Sequence, residues 1–454
     1  MQFLAIDIGS SFLKGAVVEL DTLRLRNIAR EPFPEPFGNL PPGWFEVDPQ
    51  AVVAASRQLL GRLLEHAPAC AGVVTSTQMG GLVLADERMR PLSNYVSWRD
   101  QRTVVPGNDA RGPSFSRFLQ AVGDDDARAL GRDLKPGYMT SLLHWFHEHG
   151  QLPEMPAYAL SIGDFVLATL TGAEPLAHPT SACGGVDVGR RDWASPTWNR
   201  LGLGDLRWPT MVTLDKPVGR WHVDQREIPC YPALGDHACA LAGVLLEEGE
   251  LSLNVSTGSQ VSQLRSTFVS GEYQSRPYLD ERCLNTITHI PAGRSLNVLV
   301  DLLTELARAQ QVPLADPWPY IAKAAEEAPD TELDVDLSFF AGPLGDHGHV
   351  RGITTENLRV GTLFRAALRA MAGNYSQLAE RVAPGGRWSR LVFSGGLAQN
   401  LELLRRMIQE RLPGECRVSP ETEDTLRGLL LAALVASGRA ATVADATRLL
   451  VANS

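Results

Sequence analysis

Two aspartates stand where an apolar run gives way to a turn of small residues. Asp7 belongs to the run over residues 3–8 and is followed by Gly9, Ser10 and Ser11, then Lys14 and a second apolar run. A single carboxylate at the edge of such a turn suits Mg²⁺, which takes one or two carboxylates together with waters and phosphate oxygens. The plainer role is local: Asp7 bonds its own turn, and Gly9 supplies unusual dihedrals. Asp236 follows Gly235 and opens a stretch of small residues, "DHACALAG". It could cap a helix there, for about 1 kcal/mol. It could also act as a general base, taking the proton of a hydroxyl that attacks a phosphoryl group.

The opening design recurs. Residues 250–266, "ELSLNVSTGSQVSQLRS", again place an apolar run, a Ser/Thr/Gly turn with Thr257 and Gly258, and a second run. Each copy opens one half of the chain, and the acidic "EEGE" at 247–250 supplies a polar connection. Domains are therefore expected over 1–245 and 246–454, closely packed because no low-complexity linker separates them. Two such turns could offer backbone N–H and hydroxyl donors to the phosphates of one nucleotide from opposite sides. A further segment, "RLVFSGGLAQN" at 390–400, reads as strand, diglycine turn and helix. Gly395 and Gly396 would let a flat ligand approach the backbone closely.

These turns need strands and helices to hold them. Strand-like runs fall at 3–8, 14–20, 71–77 and 81–86, and the sequence pattern predicts helices over 49–66, 139–150, 161–171, 237–248, 297–310, 315–327, 360–382, 399–411 and 424–437. Asp48 and Pro49 mark the first helix as N-cap and first helical residue. Strands mixed with helices read as α/β, and 454 residues at 44% hydrophobic content suffice for two large cores. The formal charge of −10 argues against nucleic acid or anionic lipid as a partner. Any anion site must then be built locally. The six cysteines form no CxxC pair and read as reduced thiols rather than a disulfide framework or a zinc cage. Asp7 interrupts the apolar run nearest the N-terminus, and the apolar stretch at 428–437 is about half of the ~20 residues that a bilayer span needs. No membrane association and a cytoplasmic location are expected.

Four motifs in this order resemble the FGGY family of carbohydrate kinases, and the likeness spans nearly the whole chain. "DIGSSFLK" is similar to the family's first phosphate motif, "NVSTGSQVS" to its second, "GDHACA" to its catalytic-aspartate segment and "SGGLAQN" to its adenosine motif. "GWFEVDP", "TSTQMGGLVLAD", "SWRDQR" and "VRGIT" agree with it. The resemblance implies two actin- and hexokinase-like (ribonuclease H-like) ATPase domains flanking a cleft, with ATP and Mg²⁺ as cofactors and a sugar as substrate. It implies Asp236 as base and Asp7 on Mg²⁺, with Gly9, Ser10, Ser11, Lys14, Thr257 and Gly258 around the phosphates. Gly395, Gly396 and Asn400 would border the adenosine. Gln78, Met79, Gly80, Trp98, Asp100, Asp236 and His237 would contact the sugar. A homodimer is compatible with it.

Two residues depart from the family pattern. Many members read Gln-Met-His-Gly where this chain has "QMGG", so Gly80 removes an imidazole and is expected to widen the pocket. His237 stands where an amide is common and could restore one polar contact. The wording of "NVSTGSQV" and "RPYLDERCLNTITH" looks most similar to sedoheptulokinases, with xylulokinase-like pentulose kinases next. A ketose of five to seven carbons is expected, sedoheptulose first. Two rivals use the same fold: a catalytically silent, sugar-responsive regulator and a chaperone-like ATPase. Asp7 and Asp236 are superfluous in the first, and the sugar-side motifs in the second. The histidines of "HWFHEHG" read as packing residues rather than metal ligands, and neither a GxxxxGK[ST] loop nor a GxSxG turn occurs.

Overall fold

Two six-stranded sheets frame the molecule, a computed structural model that describes residues 1–105, 112–420 and 423–453. The first holds β1 (Gln2–Ile8), β2 (Phe12–Glu19), β3 (Arg24–Pro32), β4 (Cys70–Thr77), β5 (Gly219–Val223) and β6 (Arg226–Gly235), in the order β5-β6-β4-β1-β2-β3. The second holds β7 (Glu250–Asn254), β8 (Ser259–Arg265), β9 (Gln274–Pro277), β10 (Cys283–Ile290), β11 (Arg390–Ser394) and β12 (Glu415–Val418), in the order β9-β10-β8-β7-β11-β12. In each sheet three antiparallel strands, β1-β2-β3 in one and β7-β8-β10 in the other, are extended on the first of them by two parallel strands. The repeat read from two short turns thus extends over five strands of each sheet, and the sixth, antiparallel strand lies at opposite ends, β5 beside β6 and β9 beside β10. β1 and β4 are covered on both faces, which is why neither shows the polar–apolar alternation of a half-exposed strand. β3 escapes that pattern: it is an edge strand with Arg24, Arg26 and Arg30 along it, charges that keep an edge from pairing with other chains.

Helices pack on these sheets. In α1 (Pro49–His66) the Asp48 carboxylate accepts the Gln50 N–H at 2.9 Å, and Leu59, Leu60 and Leu63 pack with Leu4, Ile6 and Val17 of the first sheet. Between the sheets run α2 (Asp236–Gly243) and, at the far end of the chain, α5 (Asp424–Ala436), while α3 (Gly293–Ala309) and α4 (Val360–Val382) pack on the second sheet. Phe364, Met371 and Tyr375 of α4 share a core with Leu251, Leu253 and Phe393 of the second sheet. Leu241 of α2 and Leu430 and Leu434 of α5 share a third core with Phe3, Val74 and Leu234 of the first sheet and Leu264, Leu284 and Val392 of the second. Each sheet comes from one side of residue 245, but the layer between them comes from both. α2 and α5 cross very closely: a Cβ at Gly243 would stand 1.8 Å from the Asp424 carbonyl oxygen, and one at Gly428 1.9 Å from that of Cys239.

Some elements differ from the expectation. α2 ends at Gly243 rather than 248, and the chain then turns through Leu245 at φ 56°. The helix expected over 399–411 is two short ones, Gly396–Asn400 and Glu402–Gln409, separated at Leu401. β6 was not expected because Pro229 and Pro232 interrupt it; its register with β4 shifts between Cys230 and Ala233, where Pro232 has no N–H to give. Among the described residues no helix is long and apolar enough to cross a membrane.

Candidate active site

Strand register assembles the first cluster. β4 lies between β1 and β6, parallel to both; Ile8 pairs with Thr77, and Thr77 with Gly235. Gln78 and Asp236, which follow these strand ends, therefore emerge beside Asp7 at the carboxyl edge, where open parallel sheets gather ligands. Ser76 Oγ donates to Asp7 Oδ1 at 2.7 Å. Asp7 Oδ2 accepts no hydrogen bond from any described residue and lies on the Gly9 side, 3.9 Å from where a Cβ of Gly9 would be. Burial pushes the Asp7 carboxyl up, opposed by the Ser76 bond and by Lys14, with Glu423 adding to the push.

Asp236 is pushed up to about 7, first by burial and then by Asp7, while the His237 N–H and Arg276 pull against this. Its Oδ1 accepts the His237 N–H at 2.7 Å, and the residue keeps part of its surface open. A carboxyl held near neutrality with few partners is suited to taking a proton. Gly235 rather than Asp236 occupies the N-cap position, and Asp236, as the first helical residue, satisfies one first-turn N–H, that of His237.

Gln78 is buried; its Nε2 donates to the Gly9 carbonyl at 3.3 Å, and its Oε1 has no partner among the described residues. Such an orphan acceptor calls for a donor, and a substrate hydroxyl would supply one. The turn after β1 is held from outside: Arg99 donates to the Ser10 carbonyl and to Ser11 Oγ, its guanidinium 5.1 Å from the Phe45 ring centre. Lys14 is not open to a phosphate here, because its ammonium bonds Glu423 at 2.8 Å, a carboxylate also gripped by Arg30.

In the second copy Thr257 and Gly258 are exposed, and a Cβ at Gly258 would meet no described atom within 4 Å. Asn254 stands where the first copy has Asp7, and it accepts the Ser256 hydroxyl at 2.6 Å. Gly395, at φ 88°, presses against this turn, where a Cβ would lie 2.7 Å from the Val255 oxygen. Gly396 and Asn400 are exposed beside it.

Three sugar-side expectations need correction. Asp100 is fully buried, and its two oxygens accept the Phe45 N–H at 2.7 Å and the Arg102 N–H, Nε and Nη2 at 2.8 Å each. It anchors Arg102, which lies 3.8 Å from the Trp44 ring centre, and has no lone pair to offer a sugar. Asp100→Asn is expected to lower stability by about 1–3 kcal/mol through unmatched buried donors, seen in the urea midpoint. A sugar contact would instead raise the sugar KM at unchanged midpoint.

Gly80 does not widen the pocket. It sits at φ 85°, and a Cβ there would meet the Tyr138 ring at 2.9 Å and Trp98 Cβ at 3.1 Å. Trp98 itself is half-buried, its carbonyl oxygen only 1.9 Å from where a Gly137 Cβ would be, while Met79 Sδ lies 3.1 Å from the corresponding position of Gly235. His237 also turns away from the sugar side. Its ring is buried, accepts from Arg276 Nη1 at 2.9 Å on Nδ1 and has Ser262 Oγ 3.4 Å from Nε2. Arg99, Arg276, Asp133 and Tyr138 went unsingled in the sequence, where each is one polar residue in a mixed segment.

Residues 2–241 match the N-terminal domain of the FGGY family of carbohydrate kinases. A xylulose kinase of Bacillus subtilis (strain 168) is 23% identical over 273 residues, 57% of this chain and 52% of that protein. A xylulose kinase of Staphylococcus xylosus is 24% identical over 225 residues, 48% and 44% of the two. The chain spans about half the length of the curated relatives it matches. The xylulose kinase from Rhodospirillum rubrum superposes with a TM-score of 0.82 at 19% identity, covering 98% of this chain and 92% of that one. The gluconate kinase from Lactobacillus acidophilus does so at 0.83 and 15%, covering 99% and 92%. These two likenesses speak for a shared two-domain α/β fold. Since the family's N-terminal domain matches more than half of its residues, the chain belongs to the FGGY family of carbohydrate kinases.

Proposed function

We propose that this protein transfers the γ-phosphoryl group of ATP to a hydroxyl of a ketose, a pentulose such as xylulose first and sedoheptulose second. The observation that carries this is Asp236, a carboxyl raised to about 7 at the end of β6, beside Asp7 and Gln78. The xylulose kinases among its relatives move the pentulose ahead of the heptulose. In this reading residues 1–245 hold the sugar and the base and 246–454 the nucleotide, in the cytoplasm.

Asp236 takes the hydroxyl proton as that oxygen bonds the γ-phosphorus and the bond to the bridging oxygen of ADP breaks. Gln78 Oε1 accepts a second substrate hydroxyl. The turn at 9–11, steadied by Arg99, and the turn at 257–258 give N–H donors to the phosphate oxygens, which act strongly once water is excluded. Gly395, Gly396 and Asn400 flank the adenosine. The residues fit Mg²⁺: Asp7 Oδ2 has no hydrogen-bond partner among the described residues, and the second copy carries the amide Asn254, leaving the single-carboxylate set that this ion accepts. When bound, the ion supplies neutralisation of phosphate charge. Asp7→Asn is expected to raise the Mg²⁺ requirement and lower kcat with little change in sugar binding by calorimetry; a collapse of sugar affinity at unchanged metal dependence would contradict the assignment.

A panel of ketoses, aldoses and polyols, scored by kcat/KM from ADP release, tests the whole. Preference for glycerol or an aldose would overturn the ketose, and absence of sugar-dependent ADP release would overturn the kinase.

A further inference from the structure

The two halves are joined by a buried ion pair to which no role has been given so far. Arg276 of β9 reaches across to Asp133, Nε to Oδ2 at 2.8 Å and Nη2 to Oδ1 at 3.1 Å, with side chains only 7% and 1% exposed. Nη2 also bonds the Tyr138 hydroxyl at 3.0 Å, and Nη1 donates to His237 Nδ1 at 2.9 Å. Arginine can only donate, so Nδ1 is the acceptor and the ring proton resides on Nε2, towards Ser262. The His237 backbone N–H in turn holds Asp236 Oδ1. We propose that Arg276 is a positioning residue that couples closure of the two halves to the setting of the Asp236 segment, an inference that rests on the kinase reading above.

The loop at 131–138 makes the coupling specific. At one end Gly131 accepts the Ser275 N–H at 2.8 Å, so close that a Cβ at Gly131 would stand 2.0 Å from the Ser275 oxygen. In between, Lys135 donates to Thr288 Oγ1 of β10. At the other end Gly137 and Tyr138 press on Trp98 and Gly80, residues on the sugar side. The loop that Arg276 grips is therefore also a wall of the sugar site. A buried pair of this kind adds little stability over an apolar pair of equal volume, but a planar fork meeting a carboxylate fixes one relative placement.

The test uses the full chain carrying Asp133→Asn together with Arg276→Met, which strands neither charge, assayed with ATP, Mg²⁺ and D-xylulose or the best sugar of the panel. The variant is expected to unfold near the wild-type midpoint with kcat lowered about tenfold or more. The fraction of ATP lost to water rather than transferred should rise, and the KM for ATP should hold. Arg276→Lys, which keeps the charge without the fork, should fall between. Wild-type kcat and an unchanged ratio of hydrolysis to transfer in the double variant would overturn the proposal; a purely structural pair would move the midpoint and leave that ratio alone. Should no sugar be phosphorylated by the wild type, the kinase reading fails separately. Small-angle scattering with ADP and Mg²⁺ then decides on Arg276: compaction in the wild type only supports it, and equal behaviour of the two proteins overturns it.

Discussion

Asp236→Asn is expected to cut phosphoryl transfer by about 10²–10⁴-fold and, at pH 8, to make the metal-free protein more stable than the wild type. The two effects share one cause. The Asp236 carboxyl is raised from 3.8 to about 7 in the folded chain, mainly by burial and then by Asp7. Between those values the folded state holds a proton that the unfolded state has released, so stability falls as pH rises, and the full penalty is present above 7. An amide carries no such penalty. The gain at pH 8 is expected at about 1–3 kcal/mol, less than the full shift implies because Asp236 keeps part of its surface open to solvent. At pH 4, where the wild-type side chain is neutral in the folded state, the gap should close. Urea midpoints of both proteins from pH 4 to 8 read the stability, and ADP release reads the chemistry. Parallel midpoint curves would mean that burial does not strain this carboxyl. Near-normal kcat would remove it as the base.

Much of the frame was legible because local signals and burial agree. α1 begins at Pro49 as its Asp-Pro start dictates, and α4 spans Val360–Val382 because its apolar positions keep helical spacing against a single core. The paired hairpins at 2–19 and 250–265 were legible for the same reason, each being an apolar run broken by a small-residue turn. β3 and β6 were not. One is an exposed, arginine-bearing edge, and the other carries two prolines that only a register shift accommodates. At the site, Asp7 and Asp236 could be singled out because a carboxylate ending an apolar run is locally odd. Their neighbourhood could not, since it depends on β4 lying between β1 and β6. The same holds for Arg276 and Asp133, which lie 143 positions apart along the chain and meet only when the halves are assembled. Asp100 misled in the opposite way: its neighbours in sequence suggest a pocket, whereas its oxygens are consumed by Arg102, two residues on, and by the Phe45 N–H.

Gly80→His, which installs the residue common in the family, is expected to damage the protein rather than sharpen its sugar recognition. From sequence alone the missing imidazole looks like room to spare. In the structure that room does not exist. Gly80 lies at φ 85°, where any L side chain is strained by about 1–3 kcal/mol. Even a Cβ would lie 2.9 Å from the Tyr138 ring and 3.2 Å from the Gly137 carbonyl oxygen. Overpacking of this kind costs a further ~1–3 kcal/mol. Tyr138 cannot simply swing aside, because its hydroxyl is bonded to Arg276 and its loop is held to the second half. A total loss of about 2–6 kcal/mol is therefore expected from the two sources together, with a fall in kcat/KM for the ketose. Gly80→Ala separates them: it carries the full backbone cost and only the first part of the clash, so it should lose stability by less. Gly80→His combined with Tyr138→Ala should recover the steric part of the loss and retain the backbone part. Urea midpoints of the three variants, measured beside kcat/KM, decide the matter. Wild-type stability with tighter sugar binding in Gly80→His would mean that Tyr138 leaves the space beside Gly80 open after all.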